Sequence, residues 1–270
     1  MHTGTTVRED SREARLAAAQ RALATAEASA GLRQRLTGVT TLAAAGAGPA
    51  QAPPSTSLPP ELLLPLPAGL EEVLPWGGLR RGAAVQVSGS RSVLLTLAAA
   101  AADAPGQDLW CAVMAMPDVG LAAAAEAGLD LSRTVVVPQP GPDAPSVLGA
   151  LIDGFDVVVL GPCRALSEAD RRSAGHRLRN REALLLSGGA WPGAQAVLEV
   201  GERSWLGVGA GEGVLTGREA TITGYVRGLG QPRRVRVRMD ADGGVTPVGE
   251  RARLVSGEGE LHGVDLARAG

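Results

Sequence analysis

The sequence predicts an α/β fold in which a mainly parallel sheet is flanked by helices, preceded by an N-terminal helix and finished by antiparallel strands. Two observations set this class. Between residues 83 and 189, short valine- and leucine-rich runs alternate with alanine-rich segments, the pattern of right-handed strand–helix crossovers that bury a parallel sheet on both faces. Further on, "AQAVLEVGERSWLGVG", "EATITGYVRG" and "RRVRVRMDADGGVTPV" alternate with period two between glycines, as antiparallel hairpins do.

Taken in order, residues 7–36 are rich in alanine, arginine and glutamate, with Asp10 and Glu13 spaced as a capping box, which predicts a helix. Leu16, Leu23 and Ala30 recur every seven residues. They form either a narrow seam for a partner helix, self-association included, or one side of a solvated helix lying on its own domain. Residues 37–60 mix Gly, Ala, Ser, Thr and Pro without period and read as a linker. The core is expected over 61–210, a β-hairpin region over 211–250 and a polar tail over 251–270. Within the core, strands are expected at 83–89, 109–116, 134–139, 155–161 and 182–189. Helices are expected at 92–103, 118–128 and 144–154, with a further one ending near residue 179.

Composition narrows the chemistry. The chain has 270 residues, 45% of them hydrophobic and only 2% aromatic, so the core is built from small aliphatic side chains and base-stacking platforms are scarce. All 26 Lys and Arg residues are arginine, which excludes Schiff-base chemistry and any lysine ammonium on a phosphate. A formal charge of -2 makes any anion-binding role regional. Cys111 and Cys163 are expected to be small buried thiols in a reducing compartment, and His2, His176 and His262 show no metal-ligand spacing. With no apolar signal core near residue 1 and no long uncharged apolar run, the expectation is a cytoplasmic protein.

"GLRRGAAVQVSGSRSVLLTLAAA" (78–100) has the rhythm of a phosphate-binding strand, loop and helix without its chemistry. Such a loop needs glycines, a lysine at the β and γ phosphates and a hydroxyl on magnesium. Counted without a gap, Gly89 stands at the first glycine, Leu94 and Leu95 at the second glycine and the lysine, and Thr96 at the hydroxyl. Apolar side chains there would leave phosphate charge uncompensated, at a cost of several kcal/mol. Arg91 or Arg80 substituting for the lysine is the alternative, against which stands the poor fit of a planar guanidinium in a narrow loop.

"LPWGGLRRGAAVQVSGSRSVLLTLAAAAA" resembles the opening of the RecA recombinase core, and the segment from "LWCAVMAM" to "DVVVLGPCRAL" resembles its following strand–helix–strand–helix–strand. The resemblance covers about residues 74–209. It implies that the family's catalytic glutamate falls near Met116 or Pro117 and its magnesium-facing aspartate at Gly161, so that the chemical roles are lost. Over most of its length, including the tail "RNREALLLSGGAWPGAQAVLEVGERSWLGVG", the chain resembles the ImuA-type accessory proteins of bacterial mutagenic repair. What this implies is a scaffold without enzymatic activity or cofactor in an error-prone translesion synthesis complex of the SOS response. Its partners would be an inactive Y-family polymerase-like protein and, through it, a specialised C-family polymerase. A SulA-like division inhibitor and a RecA-type ATPase with a non-standard phosphate site are the alternatives, separable by binding to the division GTPase and by nucleotide titration.

Three further features are candidate contacts. Arg164, Arg171, Arg172, Arg177, Arg179 and Arg181 lie where the RecA family carries a DNA-binding loop, yet Glu168, Asp170 and Glu182 interleave with them, so DNA contact competes with a solvated helix face. Trp191, where a second such loop would fall, is either a packed corner or an exposed partner anchor. Arg234, Arg236 and Arg238 share one face of a strand and Val235, Val237 and Met239 the other. That row suits an acidic partner or phosphates, or it guards a sheet edge.

Overall fold

Ten strands build one sheet in the order β11-β10-β9-β8-β3-β7-β6-β4-β5, with β12 also paired to β10. The description rests on a computed structural model and covers residues 58–209, 212–240, 243–249 and 253–254. The expected N-terminal helix with Leu16 and Leu23, the linker up to residue 57 and the tail beyond residue 254 lie outside the described residues. Six strands are mutually parallel: β3 (Ala84–Ser88), β4 (Cys111–Met114), β5 (Thr134–Val137), β6 (Val157–Leu160), β7 (Leu184–Ser187) and β8 (Ala196–Gly209). Antiparallel pairing then carries the sheet through β9 (Glu212–Val226), β10 (Arg233–Asp240), β11 (Val245–Pro247) and β12 (Arg253–Leu254). A separate antiparallel pair, β1 (Leu63–Leu64) and β2 (Leu79–Arg80), leads into the core. The α/β class read from the sequence is the class found.

Why the central strands read as unbroken apolar runs is visible in their surroundings. All four residues of β6 are buried, with Val157 and Val159 in the core beneath α1 (Arg91–Ala102) and Val158 and Leu160 in the core beneath α3 (Ala144–Gly154) and α4 (Glu168–Arg181). A strand covered by helices on both faces has no polar side to present. The short α2 (Leu121–Glu126) joins the α1 layer through Ala124.

Two of the helix starts follow side-chain caps. Ser90, in an extended conformation, accepts a hydrogen bond from the Val93 N–H at 3.3 Å and opens α1, satisfying one of the amide donors a helix start leaves orphaned. Eight of the twelve residues of α1 are buried, so it packs nearly all round. By contrast α4 is polar and buries only Ala174 and Leu178. A reciprocal Ser167–Asp170 capping box starts it, and Asp153 of α3 tethers it through Arg177 at 3.6 Å and Arg181 at 3.1 Å.

The row of alternation in β10 is as expected: Val235, Val237 and Met239 are buried while Arg234, Arg236 and Arg238 are exposed. One reading of that row is overturned. β10 pairs with β9 on one side and with β11 and β12 on the other, so its arginines do not guard a free edge. Among the described residues, no helix is long and apolar enough to cross a membrane.

Candidate functional site

In an open parallel sheet, ligands sit outside the carboxyl ends of the strands where successive connections depart to opposite faces. Here that place lies between β3, whose chain leaves into α1 on one face, and β6, whose chain leaves toward α4 on the other. It is the position at which the sequence carries its altered phosphate motif.

The loop is missing, beyond any change in its residues. β3 ends at Ser88 and α1 begins at Arg91, leaving Gly89 and Ser90 as the whole connection. A phosphate loop holds four residues between its two glycines alone. Gly89 makes the turn at φ +90°, and a Cβ on it would stand 2.5 Å from the Val200 carbonyl oxygen, so β8 occupies the space a loop would need.

This corrects the gapless count. Leu94, Leu95 and Thr96 are the fourth to sixth residues of α1 and are 1%, 5% and 5% exposed, because the Ser90 cap starts the helix earlier than the count assumes. The Thr96 hydroxyl donates to the Ser92 carbonyl at 2.9 Å and is buried in its own helix. The residues that open the helix, as the motif's lysine and hydroxyl do, are Arg91 and Ser92. Arg91 is exposed and stands 3.8 Å from the exposed Asp118 carboxylate, a pairing of small energetic weight. Ser92 Oγ accepts a hydrogen bond from the Arg218 guanidinium of β9, so a fixed cation stands against the hydroxyl that a magnesium ion would need.

Arg218 is partly buried, and desolvation, helped by nearby Arg203, lowers its pKa. It also lies 5.9 Å from the Trp205 ring centroid and 3.5 Å from Met239 Sδ. These residues, with Thr96 and Leu215, line a cavity of about 270 Å³ beside α1. Arg218 went unrecognised in the sequence, although a signal existed: it shares parity with the inward Ala220 and Ile222 of β9.

The acidic positions are sealed too. A Cβ on Gly161 would lie 2.1 Å from the Ala115 carbonyl oxygen and 2.6 Å from Met116 Cγ, so nothing larger than glycine fits at the end of β6. Ala115 itself is held at φ +57°, a left-handed conformation costing roughly 1–2 kcal/mol. Beside it Leu94 Cδ2 comes within 3.3 Å of where a Gly188 Cβ would be, which closes the floor between β6 and β7.

The other candidates are distributed elsewhere. Trp191 is 5% exposed and packs in the core beneath α3 and α4, so it is not an exposed anchor. Arg171 lies 5.6 Å from its ring centroid and donates to the carbonyls of Ala190 and Cys163. Arg172 pairs with Glu168 at 2.9 Å. Arg164 is exposed on the loop before α4. On β10, Arg236 pairs with Glu219 at 3.0 Å and Arg238 with Asp240 at 2.9 Å, which partly neutralises the row. Of the two thiols Cys111 is buried, which raises its pKa to about 12, and Cys163 is intermediate. Among the described residues no cluster of three metal-ligating side chains occurs.

A second exposed feature adjoins the sealed crevice. β8 and β9 continue past the short parallel strands as a two-stranded arm, bulged between Gly201 and Ser204 and between Leu206 and Val208. On it Trp205 is 56%, Val208 48%, Val214 77% and Leu215 47% exposed. Apolar exposure grouped in this way marks an interaction surface more often than chance.

The family model described as the MT3502 N-terminal domain matches residues 72–193. That span includes the β3–α1 connection, Gly161 and Gly188, and ends before Val200, Arg218 and the arm. The chain is also similar to the uncharacterized protein Rv3395c of Mycobacterium tuberculosis (strain ATCC 25618 / H37Rv), with 42% identity over 114 residues, which is 42% of this chain and 54% of that protein. The chain thus spans about half the length of the curated relative it matches.

Proposed function

We propose that this chain is a non-catalytic RecA-like scaffold, of the ImuA type, that joins an error-prone translesion DNA synthesis complex. The observation that carries the reading is the two-residue connection from β3 to α1 with Arg218 fixed on Ser92. A nucleotide brings several negative charges and a metal, and binding them requires converging amides and a place for the cation. Neither requirement is met at this crevice. The fold then serves as a surface rather than as an engine.

Partners follow from the resemblance: an inactive Y-family polymerase-like protein and, through it, a specialised C-family polymerase. The arm supports this reading, since Trp205, Val208, Val214 and Leu215 put apolar area where a partner can bury it, and aromatic anchors dominate such interfaces. The cytoplasm is the compartment this role requires.

The test is co-elution of the full chain with the Y-family-like protein, with and without Mg-ATP. Expected is a stable complex indifferent to nucleotide, lost in Val214→Asp on the arm while the thermal midpoint is kept. Micromolar Mg-ATP affinity with turnover would overturn the reading, as would absence of any complex.

A further inference from the structure

Opposite the sealed crevice, at the amino-terminal edge of the parallel strands, the structure has a groove of about 610 Å³, which joins arginines of α4 to others far from them in sequence. Its walls are the turn from β2 into β3, the polar face of α4 and the segment 191–195 that leads into β8. Arg80, Arg81, Arg171, Arg172, Arg179 and Arg227 line it, against one lining carboxylate, Glu182. In a chain with formal charge -2, this is a local concentration of positive charge assembled from three distant segments.

We infer that this groove binds the phosphate backbone of a nucleic-acid strand. Two arginines form its rear and are already held: Arg81 by Asp156 at 3.9 Å and by Gln107, Arg171 by two carbonyls. Three stand forward and exposed: Arg80, Arg172 and Arg179. Arg179 contacts His176 Nδ1 at 2.9 Å, and neither it nor Arg80 has a carboxylate within ion-pair distance among the described residues. The exposed pair of Arg172 with Glu168 is weak enough for a phosphate to displace. The β2–β3 turn lies close on α4, since a Cβ on Gly82 would sit 3.3 Å from Arg179 Cα. Guanidiniums from the two elements therefore face one channel, and their forks match phosphate geometry.

The lining decides between anionic ligands. A protein segment needs apolar anchors, and of the large apolar residues here Leu178 and Trp191 are 1% and 5% exposed, which leaves only the half-buried Leu62 and Pro192 against six arginines. Buried as it is, Trp191 offers no stacking face, so base identity goes unread and the energy is electrostatic. This inference stands apart from the scaffold reading, because it concerns the purified chain alone.

The experiment is fluorescence anisotropy of the full chain with a labelled oligothymidylate of roughly twenty nucleotides. Three forward arginines predict that raising salt from about 50 to about 200 mM weakens binding by about twentyfold. Combined Arg80→Glu, Arg172→Glu and Arg179→Glu should weaken it by at least about tenfold and flatten the salt dependence, with the urea midpoint checked for retained folding. Arg236→Glu with Arg238→Glu on β10 should leave it within about twofold. Absence of binding, equal affinity in the forward-arginine variant, or displacement by polyglutamate at concentrations equal to unlabelled oligothymidylate each overturns the assignment, the last in favour of an acidic protein segment.

Discussion

Restoring a carboxylate at Gly161 tests the sealed crevice directly. With a Cβ 2.1 Å from the Ala115 carbonyl oxygen, any side chain lies about 1.3 Å inside ordinary van der Waals separation. The neighbours are poorly placed to yield. Ala115 N–H is bonded to Val137 O at 3.0 Å, and Gly161 N–H to Met114 O at 2.8 Å. Losing both hydrogen bonds costs about 1 kcal/mol each, and overpacking adds roughly 1–3 kcal/mol, so Gly161→Ala should lose about 3–5 kcal/mol. Gly161→Asp should lose at least as much as Gly161→Ala, because it meets the same conflict at Cβ and adds a buried, unpaired carboxylate. Urea unfolding at neutral pH reads this as a midpoint drop of about 1.5–2.5 M at an unchanged slope near 2 kcal/mol/M. If Gly161→Asp loses less than about 0.5 kcal/mol, the space exists and the reasoning fails; a Mg-ATP thermal shift in that variant would say the same more strongly.

Other outcomes follow from single contacts. Leu178→Ala removes the one large buried side chain of α4 and should cost about 2–5 kcal/mol by urea unfolding, with exchange of the α4 amides accelerating first. Asp130 is held down to about 2 by the Ser132 hydroxyl first, then by Arg133 and the Ser132 amide. A depressed folded value means stability present above the unfolded carboxylate pKa and lost as pH falls from about 4 toward 2; an NMR titration should place its midpoint near 2 and Ser132→Ala should raise it. Burial pushes the Cys111 thiol up to about 12, so in the native state Cys111 should resist a thiol reagent and react at the rate of unfolding.

Much of the sheet was legible because its strands obey one rule each. Four buried residues in β6 and strict alternation in β10 follow from coverage on two faces and on one. The start of α4 went unread, with only its end near residue 179 expected, although Ser167 with Asp170 writes that start into four residues. The site was harder to read, since its chemistry is decided by residues far apart in sequence. Counting along the motif could not reveal that β8 stands against Gly89 through Val200, nor that Arg218 reaches Ser92 across 126 positions. Trp191 and the arginine groove have the same origin, being assembled by β2, α4 and the approach to β8. The place where β8 enters, beside β3 and outside β7, is what brings all of them together.

The continuity of β8 has a mechanical corollary. Its first residues run alongside β3 in register, Val85 with Ala196 through Ser88 with Glu199, and the same strand then carries Trp205 outward past the bulge between Gly201 and Ser204. Nine residues from Gly201 to Gly209 give a lever of about 30 Å. Whatever grips the tip thereby holds the strand whose Val200 carbonyl stands against Gly89 at the β3–α1 junction.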